Sequence, residues 1–220
     1  MIESGPGEIF ITIGDKCKYT VSINKHAFIK QGNIEEEKID DYDCHFVNIK
    51  GKGFISSNCA YVRIQPPFNS NYVKCYINPN HSENEFLIGK TVCQLTLTED
   101  GFDIIASRRD NHYKVRGYSR SRDNLVLLSR SSDLFGRQEM FDDKMSTNHC
   151  YCGYDTEKNL LFLIDYGSNG EGSTNGTYIK IKSHDMVEIQ KEKNNFRFLR
   201  PSTIDYQVEV SMSGKTVKDP

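Results

Sequence analysis

Short runs in which apolar and polar residues alternate recur along the whole chain, and no window of 15 residues carries a clean helical stripe. A period of two is the signature of a half-buried strand, whereas an amphipathic helix needs apolar residues three and four apart. The pattern predicts strands at Ile9–Ile13, Lys18–Ile23, Cys44–Ile49, Ala60–Ile64, Tyr72–Ile77, Glu85–Ile88, Cys93–Thr98 and Phe102–Ala106. It predicts more at Leu125–Leu128, Cys150–Tyr154, Leu160–Asp165, Thr177–Ile181, Met186–Ile189, Phe196–Leu199 and Tyr206–Val210. So many short strands, separated by turn-forming residues, read as antiparallel β-sandwiches. Twelve Tyr, twelve Phe and no Trp among 220 residues agree with an all-β chain. That length accommodates two domains.

Charge narrows the partners. A formal net charge of −2 and a pI near 6.3 argue against a dedicated nucleic-acid binder, whose footprint is basic. The segment Arg108–Arg122 is rich in Arg and Lys, and its simplest reading is a solvated hairpin. No apolar stretch is long enough to span a bilayer, and Met1–Pro6 lacks the basic and apolar regions of a secretion signal. No membrane association is expected, and the expected location is intracellular, in cytoplasm or nucleus. Seven cysteines with no C-x-x-C pair suit reduced thiols. His149, Cys150 and Cys152 invite a metal reading, but ligands so close along one strand do not converge, so buried thiols and no metal are expected.

The candidate chemistry lies in loops. Ser173-Thr174-Asn175-Gly176-Thr177 is a polar turn that feeds a β-rich run, with Asn169-Gly170 as a competing turn upstream. Gly176 after Asn175 suits a positive φ. Upstream stand Gly136-Arg137 and Ser146-Thr147-Asn148-His149. A phosphothreonine carries nearly two negative charges and three acceptor oxygens, so a pocket for it needs a guanidinium with short hydroxyl or amide donors on adjacent loops. Arg137, Ser146, Thr147, Thr174 and Asn175 are those residue types. The succession G-R, S-x-x-H, S-T-N-G-T resembles the forkhead-associated (FHA) domain, a β-sandwich family that binds phosphothreonine peptides. The resemblance implies that Arg137 and Ser146 hold the phosphate with help from Thr147 or Thr174. It implies that Asn175 holds the ligand's backbone, while Gly136, His149 and Gly176 are structural.

A weaker copy precedes it. Ser56-Ser57-Asn58-Cys59-Ala60-Tyr61-Val62-Arg63-Ile64 aligns with Ser173–Ile181, and Asn24-Lys25-His26-Ala27 with Thr147–Cys150. Asp15 then stands where the phosphate-contacting Arg belongs, and Ile23 where the Ser belongs, so this copy is expected not to bind phosphate. The expected organisation is two tandem FHA-like sandwiches, a divergent one over 1–106 and a fuller one over 107–212, with a tail at 213–220. Two G-K-T fragments, Gly89-Lys90-Thr91 and Gly214-Lys215-Thr216, lack the earlier glycine of a phosphate loop, which Asn84 and Glu209 replace. No catalytic motif appears, so no enzyme, catalytic residue or cofactor is expected. The expected function is recognition of a phosphorylated protein, with phosphate-independent docking as a subunit of a larger protein complex as the alternative.

Overall fold

A computed structural model describes residues 7–212 except 16, 67–70, 78–83, 100, 109–110, 120–124, 133–134, 136–139, 168–170, 183–184, 190–193 and 200–205. The described residues form an all-β protein of antiparallel sheets, with nineteen strands and no α-helix among them. The first seven are β1 (Ile9–Ile13), β2 (Cys17–Val21), β3 (His26–Lys30), β4 (Asn33–Glu35), β5 (Cys44–Ile49), β6 (Lys52–Ser57) and β7 (Ala60–Arg63). Then come β8 (Cys75–Ile77), β9 (Glu85–Ile88), β10 (Thr91–Leu97), β11 (Gly101–Arg108), β12 (Asn111–Ser119), β13 (Val126–Leu128), β14 (Cys150–Asp155), β15 (Leu160–Asp165) and β16 (Thr177–Lys180). The last are β17 (Val187–Glu188), β18 (Asn194–Phe198) and β19 (Tyr206–Met212).

Contacts divide the chain into two compact units. The first joins Met1–Val62 to Ile181–Pro220. Its two sheets run β7-β18-β19-β1-β2 and β17-β6-β5-β3-β4. Alternation sorts the side chains: Ile9 and Ile11 are buried while Phe10 between them is exposed, and Cys44 and Phe46 face inward from β5. They pack with Ile55, Phe196, Phe198, Val208 and Val210 into one core.

The second unit is Arg63–Lys180. Its sheets run β12-β11-β10-β9-β16 and β13-β14-β15-β8. Phe86, Ile88, Leu95, Phe102, Ile104, Leu161 and Leu163 fill its core together with Cys93, Cys150 and Cys152. The two units share one strand order: β7-β18-β19-β1-β2 matches β16-β9-β10-β11-β12, and β17-β6-β5-β3 matches β8-β15-β14-β13.

The compact units therefore differ from the consecutive division 1–106 and 107–212. The physical reason is pairing. β10 turns directly into β11, with Leu97 opposite Phe102 and the Thr98 N–H donating to the Gly101 carbonyl, so no boundary falls there. β1 pairs along its whole length with β19, from Ile9 opposite Met212 to Ile13 opposite Val208.

Candidate functional site

In the second unit, Leu128 lies opposite Cys150 and Cys150 opposite Asp165 across three neighbouring strands. The turn leaving β13, the loop entering β14 and the loop leaving β15 consequently emerge at one end of the sheet. Ser146, Thr147, Thr174 and Asn175 all sit on these loops.

His149 holds two of the loops together. It is fully buried; its Nδ1 accepts from the Ser146 N–H at 2.9 Å, and its Nε2 lies 2.9 Å from the Gly176 carbonyl. Acceptance at Nδ1 places the proton on Nε2, which donates to Gly176. Burial lowers the pKa of His149 from its ordinary 6.5, against the opposing pull of the Gly176 carbonyl and Asp165. The imidazole is therefore a neutral strut.

Each loop has an anchoring carboxylate. Asp165, fully buried, accepts from the Ser173 N–H, the Ser173 hydroxyl at 2.5 Å and the Thr177 hydroxyl at 3.0 Å. Its other oxygen accepts no hydrogen bond from the described residues and is balanced by the Arg63 guanidinium at 3.8 Å. Arg63 also donates to the Ser173 carbonyl. Gly176 has φ +74°, and a Cβ there would come within 2.6 Å of Arg63 Nε, so a glycine is required on both counts. Asp142, also fully buried, accepts from the Lys90 N–H at 2.6 Å, the Thr91 hydroxyl at 2.8 Å and the Lys144 N–H at 2.9 Å. Gly89, at φ +58°, lets that carboxylate approach to 2.7 Å of where a Cβ would stand.

Above these anchors the loop surface is polar. Thr147 and Thr174 are exposed, Ser146 and Asn175 half-buried. Asn175 donates from Nδ2 to the Lys144 carbonyl at 2.7 Å, which ties the two loops a second time. Among the described residues, the arginine brought against them is Arg130, not foreseen from the sequence. Its N–H donates to the Ser146 carbonyl at 3.1 Å and its guanidinium to the Thr147 hydroxyl at 3.4 Å. Gly136, Arg137 and the competing turn at Asn169-Gly170 lie outside the described residues. Arg130 was legible as an arginine closing the strand run Val126-Leu127-Leu128, but Ser129 stands where a glycine was sought.

Strand order also revises the alignment of the first unit. β3 takes the place of β13 and β5 that of β14. Ile29 lies opposite Cys44 as Leu128 lies opposite Cys150, so Lys30-Gln31 correspond to Ser129-Arg130, and Asp43 to His149. Asp15 instead lies in the β1–β2 turn beside Gly14 at φ +54°. Asp43 does for these loops what His149 does in the second unit, by a different chemistry: it accepts from the Gln31 N–H and the Tyr206 hydroxyl, each at 2.6 Å, and its carbonyl accepts from Ser57 Oγ.

Burial pushes the thiols of Cys150 and Cys152 far above their ordinary range, which leaves them unreactive. Among the described residues no group of three His, Cys, Asp or Glu could hold a metal, and no helix is long and apolar enough to cross a membrane. No family model, curated protein or solved structure matches the chain.

Proposed function

We propose that the second unit is an FHA-like reader of phosphothreonine peptides, with recognition rather than chemistry as its role. The observation that carries this reading is the placement of Arg130 against Ser146 and Thr147, on loops pinned to the Asn175–Gly176 turn by a buried histidine. A guanidinium beside two hydroxyl-bearing residues offers the charge-assisted donors that a phosphate dianion needs. Ser146 and Thr147 supply hydroxyls, Thr174 a further one, and exposed Lys144 adds positive charge. The Asn175 carbonyl oxygen is directed to the ligand's backbone N–H while its amide nitrogen stays on Lys144.

Removing the cation from such a pair costs about 2–5 kcal/mol, out of about 8 kcal/mol for micromolar affinity. Titration with phosphothreonine peptides and their unphosphorylated counterparts tests the proposal. Phosphate-dependent binding that weakens at least about 30-fold in Arg130→Ala supports it; binding indifferent to the phosphate or to Arg130 rejects it.

The first unit carries the second reading, phosphate-independent docking within a larger assembly. Gln31 stands in place of Arg130 and the buried carboxylate of Asp43 in place of His149, so the guanidinium of the second unit has no counterpart at that position, while the neighbouring Lys30 ammonium donates to the Asp40 carbonyl.

A further inference from the structure

The turn between β10 and β11 occupies the place where two consecutive sandwiches would be joined by a linker. Glu99, Asp100 and Gly101 form a short hairpin signal, and Thr98 bonds to Gly101 across it. Two consecutive sandwiches of this strand order would pair β10 with β1 and β19 with β11. The structure pairs β10 with β11 and β19 with β1. In the same way β17 and β18 stand in the first unit at the positions that β8 and β9 hold in the second.

We propose that the chain is a tandem pair whose members have exchanged their last three strands. Residues 75–97 complete the sandwich that begins at Gly101, and residues 187–212 complete the one that begins at Ile9. Segment exchange between identical or similar partners preserves every contact of the unexchanged form, so it needs no new interface. The hairpin then holds the exchanged state in place, because β10 pairs directly with β11 and the Thr98 N–H donates to the Gly101 carbonyl across the turn.

The exchange changes who builds the recognition site. Asp142, the anchor of the Ser146–Thr147 loop, is held by the Gly89-Lys90-Thr91 turn. The Asn175–Gly176 turn leans on Arg63. Both struts belong to the first half of the sequence, while the residues facing the ligand belong to the second. Thr91 and Arg63 are thus positioning residues, and the G-K-T fragment at Gly89 has its use here. The exchange stands on strand pairing alone; its bearing on ligand binding rests on the phosphopeptide reading above.

The test is a full-length chain with a protease site inserted after Glu99. Exchange predicts that the two cleaved fragments elute together at the size of the intact protein and part only in denaturant. Two fragments that elute separately as folded domains overturn it. A contact between consecutive sandwiches could also keep fragments together, so the intact chain supplies a second readout through its buried thiols. Phe196 shares a core with Cys44, and Phe86 with Cys93 and Cys150. Phe196→Ala is expected to speed alkylation of Cys44 and spare Cys150, and Phe86→Ala the reverse. Opening of Cys150 by Phe196→Ala overturns the exchange. Thr91→Val, with Cys150 still protected, is expected to weaken phosphothreonine-peptide binding several-fold; unchanged affinity removes the positioning role. Co-eluting fragments with no peptide binding in the parent protein leave the exchange standing and defeat the phosphopeptide reading instead.

Discussion

At the scale of single residues, His149 and Gly176 decide whether the loops keep their shape. His149 binds a proton more weakly in the folded protein than its ordinary value of 6.5, because burial disfavours the imidazolium. As pH falls below about 6.5 the unfolded chain takes up that proton first, so stability is full above this pH and declines through the acid range. His45, also lowered by burial, acts in the same direction. Denaturant midpoints measured from pH 8 to pH 5 should fall, with a shallower fall in His149→Gln, which retains only the other titrating groups. Gly176→Ala combines a left-handed backbone with a close approach to Arg63. A loss of about 1–3 kcal/mol is expected, measured by denaturant unfolding.

At the scale of elements, each sandwich solves the same problem with a different buried polar group. A loop that enters the hairpin beside a cysteine must be fastened to the strand beyond, and it is fastened by His149 in the second unit and Asp43 in the first. A carboxylate accepts only, so it needs donors, and the Tyr206 hydroxyl supplies one at 2.6 Å. Burial and this hydrogen bond push the Tyr206 hydroxyl well above its ordinary range, which keeps it a donor. Tyr206→Phe removes a hydrogen bond to a charged group and should cost about 1.5–3 kcal/mol. The loss belongs to the first unit, so Cys44 alkylation should rise while Cys150 stays protected. The strands themselves were legible in two ways: Ile9–Ile13 and Cys44–Ile49 by alternation, and Glu85–Ile88 and Leu160–Asp165 as short continuous apolar runs, and all four appear with the predicted bounds. β3, β4, β6 and β12 were not foreseen. In β6 a glycine and two serines replace apolar residues, and Ser57 is buried by its bonds to the Asp43 carbonyl and the Cys59 and Ala60 N–H groups rather than by hydrophobicity.

At the scale of the whole molecule, long-range pairing dominates. β1 meets β19 across nearly the full length of the chain, and such non-local contacts slow folding because loop closure must precede them. A chain ended after Lys180 loses β17, β18 and β19 but retains every strand of the second unit. Limited proteolysis with mass spectrometry should find residues before Val62 cleaved and residues 63–180 protected. The reverse pattern would mean that the first unit does not depend on its C-terminal strands.

The residues alone determined the class of structure. Period-two alternation, plentiful Tyr and Phe and the absence of a helical stripe require sheets, since only that geometry buries one side of each run. They also determined which loops are chemically equipped, because Ser146, Thr147, His149 and the Asn175–Gly176 turn are recognisable by residue type and local order. Tertiary structure alone decided which strands complete which sandwich and brought Arg130 against Ser146 and Thr147. Alternation specifies the face of a strand and leaves its neighbour open: β10 and β19 both offer an apolar face that β1 could accept. The choice is made by the hairpin at Thr98–Gly101, which binds β10 to β11 and leaves β1 to β19.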